Sequence, residues 1–280
     1  MPIAGRTDLR TPPYFFPAPH LCPEPPVFTP DSFLRCMARR GRGRVFFMGN
    51  SFARGMGYAL AARLNGLSHA TRDEQKQSCA KVRAVVGVGN AASCTLNVTV
   101  PGSLSGAVAA GDAAIRVLWR ATLNSTGLKH DFCFGQPPAE CYRDFFEDSR
   151  PGDVLVTTVG MDYALGLRSV GLSGSGVLNW TLADVDAFMD ARWFKGAVVW
   201  TTIMLGHPAK NWGSYAGMLD AMNDFLVPVM RARGVTVVDM RRFGADLAPD
   251  ALYVDAIHPH DEVYAAALFH AVATLCDPPP

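Results

Sequence analysis

Apolar residues fall in short runs separated by polar, glycine-rich or proline-rich punctuation. Val45 to Met48 is such a run and reads as a buried strand. Gly49-Asn50 is a turn signal, and from Phe52 to Leu64 apolar and small residues recur at helical spacing. Further strand patterns cover Val82 to Val88, Thr95 to Val100, Ile115 to Thr122, Val154 to Val159, Ala197 to Met204 and Val235 to Met240. Helical patterns cover Asp31 to Arg40, Leu182 to Phe194 and Tyr215 to Arg233, the last with Pro228 as a kink signal. Asp261 to Cys276 completes the set, with Asp261 and Glu262 in its first turn. Gly89 to Ser93 reads as a turn, and 66–80, 127–152 and 166–176 as loop. Residues 1–30, rich in proline, predict an extended arm, which leaves 31–277 as the folded domain. Strands alternating with helices imply α/β architecture: a parallel sheet with helices on both faces.

Bulk properties narrow the function. The 280 residues are 49% hydrophobic and 18% charged, with formal net charge +1, which suits a sizeable core. That balance argues against a nucleic-acid surface. The one dense basic run, from Arg39 to Arg44, reads as a solvated approach to the first strand. No apolar stretch near a terminus is long enough to span a bilayer. Asn97-Val-Thr99, Asn124-Ser-Thr126 and Asn179-Trp-Thr181 are glycosylation sequons, which suits a secretory lumen. Seven cysteines show no zinc spacing, and Cys133 and Cys141 bracket a proline-bearing loop that a disulfide could close. The expectation is a glycoprotein of the Golgi lumen or extracellular space, with any membrane anchor outside this chain. The rival is a cytosolic protein with reduced cysteines.

Chemistry concentrates at two places. Ser51 sits where the first strand hands over to a helix, so its hydroxyl lies at the sheet's C-terminal edge in the field of a helix N-terminus. That suits a nucleophile, although a serine there also serves as an ordinary N-cap. Asp255-Ala-Ile-His258 lies on a loop before the last helix. At this spacing the carboxylate can hold one imidazole nitrogen and leave the other as a general base. A surface loop with a solvated histidine is the plainer reading. A third strand end carries Gly160-Met161-Asp162, and convergence of the three ends would make an active site.

The stretches Phe28-Thr-Pro-Asp31-Ser-Phe-Leu34 and Arg44-Val-Phe-Phe-Met-Gly-Asn-Ser51-Phe-Ala-Arg54, with the closing Asp255-x-x-His258, resemble the PC-esterase branch of the SGNH (GDSL-type) superfamily. Plant trichome-birefringence-like polysaccharide O-acetyltransferases belong to that branch. Ile115 to Trp119 and Asp153 to Gly160 resemble further strands of the family. The resemblance implies a flavodoxin-like three-layer α/β/α sandwich. It implies Ser51 as acyl acceptor, His258 as base and acid, Asp255 as its orienter, and Arg54 near the oxyanion, with Gly160 and position 162 in the substrate region. Two positions depart from the family. Asn50 replaces an aspartate, and Asp162 stands where the superfamily has a neutral or imidazole donor; an ionised aspartate cannot donate to an oxyanion.

The resemblance implies serine-dependent O-acetyl transfer or O-acetyl ester hydrolysis on a glycan or polysaccharide acceptor. No cofactor is expected beyond an acyl donor such as acetyl-CoA or another acetyl ester, and no metal. The alternative is a catalytically silent glycan-binding or scaffold domain, for which Asn50 and Asp162 speak. The remaining histidines, His207 and His260 among them, read as loop or surface residues, with His260 the nearest rival to His258.

Overall fold

The computed structural model describes residues 30–39, 44–64, 93–97, 114–119, 142–143, 145–158, 175–210, 216–242 and 248–276. In chain order these form α1 (Pro30–Arg39), β1 (Val45–Gly49), α2 (Ser51–Leu64), β2 (Ser93–Asn97), β3 (Ala114–Trp119) and β4 (Val154–Thr158). There follow α3 (Ser175–Asp190), β5 (Ala197–Thr201), α4 (Ala216–Ala232), β6 (Thr236–Val238), a 3-10 turn at Met240–Arg242, α5 (Pro249–Leu252) and α6 (Asp261–Cys276). The proline-rich arm, the strand expected over Val82 to Val88 and the Cys133–Cys141 loop lie outside the described residues.

The strands make a 6-stranded sheet in the order β2-β3-β1-β4-β5-β6. All pairs are parallel except β2 with β3, which is antiparallel, so the edge strand departs from the all-parallel expectation. Without that edge strand, the order is the doubly wound one of flavodoxin-like sheets. The chain moves outward from β1 in both directions, and right-handed crossovers then put helices on opposite faces. β1 and β4 are buried along their whole length, and each opens with an unbroken apolar run, Val45 to Met48 and Val154 to Val156, because both faces are covered. The order reverses beside β1, and such switch points open a crevice at the C-terminal strand ends.

The core gathers around Phe46, which meets Phe145 edge-on at 5.6 Å and Phe194 at 5.3 Å. Phe145, Phe146 and Tyr142 come from a stretch expected to be irregular; it turns helically and is buried. Helix α3 starts before its expected Leu182, within the glycine- and serine-rich stretch, and ends before Phe194. Pro228 is accommodated within α4 at an exposed position.

Arg44 corrects an expectation. It is buried rather than solvated. Its Nη2 donates to Asp153 Oδ2 at 2.8 Å and its Nη1 to Asp148 Oδ2 at 2.6 Å. The register explains this: Val45 pairs with Val154, so the residues just before each strand are neighbours. Cys36, on α1, is buried and disulfide-bonded. Among the described residues no helix is long and apolar enough to cross a membrane.

Candidate active site

β1 ends in Gly49, whose φ of +147° disfavours other residues. A Cβ there would lie 2.4 Å from the Thr158 carbonyl oxygen of β4, so glycine lets the two strand ends close up. Asn50 makes the corner. Its Oδ1 accepts from the Phe52 amide at 3.0 Å, an Asx turn that opens α2. Ser51 is therefore the first residue of α2, half-buried at the sheet's C-terminal edge.

The second element is the loop between α5 and α6. Tyr253 and Pro259 form an antiparallel bridge, and the Val254 amide donates to the His258 carbonyl at 2.8 Å. Inside this closed loop Asp255 Oδ1 accepts from the Ile257 and His258 amides at 2.8 and 2.7 Å. Asp255 Oδ2 accepts from His258 Nδ1 at 2.7 Å, which fixes the neutral tautomer with its proton on Nδ1. Nε2 is then an acceptor, and Ser51 Oγ lies 2.8 Å from it. Burial pushes the Asp255 carboxyl up, but the His258 and Ile257 amides and the His258 ring outweigh it and hold the group well below the usual carboxylate range. An ionised Asp255 in turn favours a positive charge on His258.

Packing joins the two elements. Helices α2 and α6 approach so closely that a Cβ on Gly55 would meet the Tyr264 ring at 2.8 Å. Phe52 sits between, with its centroid 5.7 Å from that of His258 and 6.2 Å from that of Tyr264. The His258 ring is thus backed by an aromatic face as well as tied by hydrogen bonds.

Ser51, His258 and Asp255 form one relay, with Asn50 beside it. Arg54 falls one turn into α2, its side chain outside the described residues; Gly160 and Asp162 lie outside them altogether. His260 is not in the relay: its amide donates to the Leu252 carbonyl at 3.1 Å and helps close the loop. Among the described residues no histidine, cysteine or carboxylate cluster could hold a metal ion.

One residue in this neighbourhood escaped the sequence reading. His207, after β5, is buried at 5% exposure, with its Nε2 2.9 Å from Asp250 Oδ1 on α5. Its proline neighbour pointed to a loop, and nothing local signalled burial.

No protein-family model matches the sequence, and no curated protein matches it. Solved structures do align with it in shape. An acetyl xylan esterase aligns with TM-score 0.46 and 13% identity, over 82% of this chain and 98% of that one. An acetylxylan esterase from Geobacillus stearothermophilus gives 0.44 and 13%, over 82% and 94%. A GDSL-like lipase from Bacteroides thetaiotaomicron gives 0.44 and 12%, over 89% and 98%. The chain is similar to these in outline, and the chemistry of its site is read from its own atoms.

Proposed function

We propose that the protein performs serine-dependent acyl transfer on glycans, as an O-acetyltransferase or O-acetyl esterase, through an acyl-enzyme on Ser51. The observation that supports this most is the unbroken relay from Ser51 Oγ to His258 Nε2 and from His258 Nδ1 to Asp255.

In the first step His258 Nε2 takes the Ser51 proton while Oγ attacks the carbonyl carbon of an acetyl ester or thioester. The tetrahedral oxyanion forms beside the N-terminus of α2, where the Ser51 backbone N–H and the helix field stabilise it. Its collapse releases the donor's alcohol or thiol, which takes the proton back from His258. In the second step a glycan hydroxyl, or water, gives its proton to His258 and attacks the acyl carbon, and His258 Nε2 passes that proton to the departing Ser51 Oγ, restoring the free hydroxyl. Transfer and hydrolysis share the intermediate and differ in which oxygen reaches it. Asp255 orients the ring and stabilises the imidazolium. Arg54, Asn50, Gly160 and Asp162 are the candidates for lining the oxyanion and the acyl group. The chemistry needs an acyl donor, such as acetyl-CoA or another acetyl ester, and no bound cofactor.

The glycan acceptor rests on the motif resemblance. A lumenal Golgi or extracellular home rests on the sequons and is favoured by the bonded Cys36. The near-neutral charge balance supports a partner other than nucleic acid.

A fluorophosphonate probe tests the reading. Covalent labelling of Ser51 in the wild type, lost in Ser51→Ala, together with acetate release from an acetylated glycan or an aryl acetate, is the expected result. A folded wild type that neither labels nor turns over would leave the silent glycan-binding domain.

A further inference from the structure

We infer that His207 is a positioning residue for the catalytic loop, with Asp250 and Tyr253 as its partners; this rests on the acyl-transfer reading above. The loop at 202–210 leaves the C-terminal end of β5 and runs beside the segment that carries Asp255 and His258. Two pairs fix its base. The Asn223 side chain on α4 exchanges hydrogen bonds with Ile203 at 3.0 and 2.7 Å, and Thr202 Oγ1 donates to Asp239 Oδ1 at 2.9 Å.

Its far end is stapled to the catalytic loop. The His207 amide donates to the carbonyl of Ala256, inside the Asp255–His258 turn, at 2.8 Å. The His207 ring reaches Asp250, on the helix that opens the catalytic loop, at 2.9 Å. His207 Nδ1 accepts from the Ala209 amide at 3.2 Å, so Nε2 carries the proton and donates to Asp250. The ring also lies 6.1 Å from that of Tyr253, at the end of that helix.

These contacts tie the catalytic loop to the segment that follows β5. The turn's own hydrogen bonds fix its shape, but only contacts to another element fix where it stands over Ser51. His207 supplies one of them through its backbone amide, on Ala256, and two through its buried ring, on Asp250 and Tyr253. Catalytic geometry is unforgiving: a displacement of about 1 Å can cost on the order of a hundredfold in rate.

The test uses Asp250→Ala, an exposed position where folding is not at stake, with His207→Ala and His207→Gln. Gln keeps a donor toward Asp250. We expect Asp250→Ala and His207→Ala to lower kcat on an aryl acetate roughly tenfold or more, with KM within about twofold, and His207→Gln to recover part of the loss. Hydrogen exchange should rise at 253–258 while β1 and β4 stay protected. Unchanged kcat in both alanine variants, or exchange rising evenly through the sheet, would overturn the inference. The exchange pattern also decides it if the wild type proves inactive, because absent labelling at Ser51 defeats the acyl-transfer reading without touching loop position.

Discussion

The Asn50 side chain divides its work toward Phe52: Oδ1 accepts the Phe52 amide at 3.0 Å, and Nδ2, equally buried, has no hydrogen-bond partner. A neutral amide thus stands beside the nucleophile with a spare donor. Asn50→Asp would keep the turn but place an unpaired charged oxygen in that buried position, a substitution expected to cost about 1–3 kcal/mol. A negative charge so close to His258 also favours the imidazolium, so the acid limb of kcat/KM should move to higher pH. Urea unfolding and a pH–rate profile measure the two effects. An unchanged profile would mean that position 50 does not act on the base.

Ser51→Ala should abolish acyl-enzyme formation, and His258→Ala should do nearly as much, because nucleophile and base act as one unit and their losses do not add. Asp255→Asn should cost up to about ten-thousandfold through the wrong tautomer. Asp162→Asn should leave activity unchanged or raise it by supplying a neutral donor. Steady-state rates on an aryl acetate, with circular dichroism to confirm folding, decide the series. Equal rates for Ser51→Ala and wild type would refute the nucleophile.

Asp255 should also leave a mark on stability. Its folded carboxyl titrates below its unfolded value, held there against burial by the His258 and Ile257 amides and the His258 ring. Its contribution is therefore fully present above the unfolded value of about 4 and is lost as pH falls from there through the lower folded value. Asp255→Asn should flatten this part of the acid limb while destabilising the protein at neutral pH. Urea midpoints between pH 7 and pH 3 give the comparison; parallel curves for the two proteins would count against it.

At the opposite end of the sheet, Asp153→Ala would leave the buried Arg44 with the half-exposed Asp148 as its remaining carboxylate. Breaking a buried pair outright costs about 3–5 kcal/mol, and the surviving Asp148 contact should hold the loss below that. The double variant Arg44→Met with Asp153→Ala should recover part of that. Denaturant unfolding reads both, and activity per folded molecule should not change, because the pair lies at the N-terminal strand ends.

The punctuation of the sequence was enough for β1, α2 and α6. Gly49-Asn50 marked the corner, and the acidic first turn placed Asp261 at the start of the last helix, where the structure has it. The relay was readable for the same reason: Asp255 and His258 act within one turn, and parallel topology places Ser51 at the matching edge. Contacts between distant segments left no such trace. Arg44 looked solvated because its partners lie 104 and 109 residues away. His207 looked like a loop histidine because Asp250 lies 43 residues on. The start of α3 was hidden by glycine and serine, which are poor helix formers by propensity but tolerated where tertiary packing covers the helix.

Ser51 and His258 meet across 207 residues of chain. The hydroxyl comes from the start of α2, just after the first strand, and the imidazole from the loop before the last helix, so neither half of the protein holds a complete site. A nascent chain stays chemically mute until the last strand and helix have docked, whatever core has already condensed around β1. Covalent capture at Ser51 would then report completed folding of the whole domain, and the onset of labelling during refolding should coincide with the docking of α6 on α2 rather than with formation of the sheet.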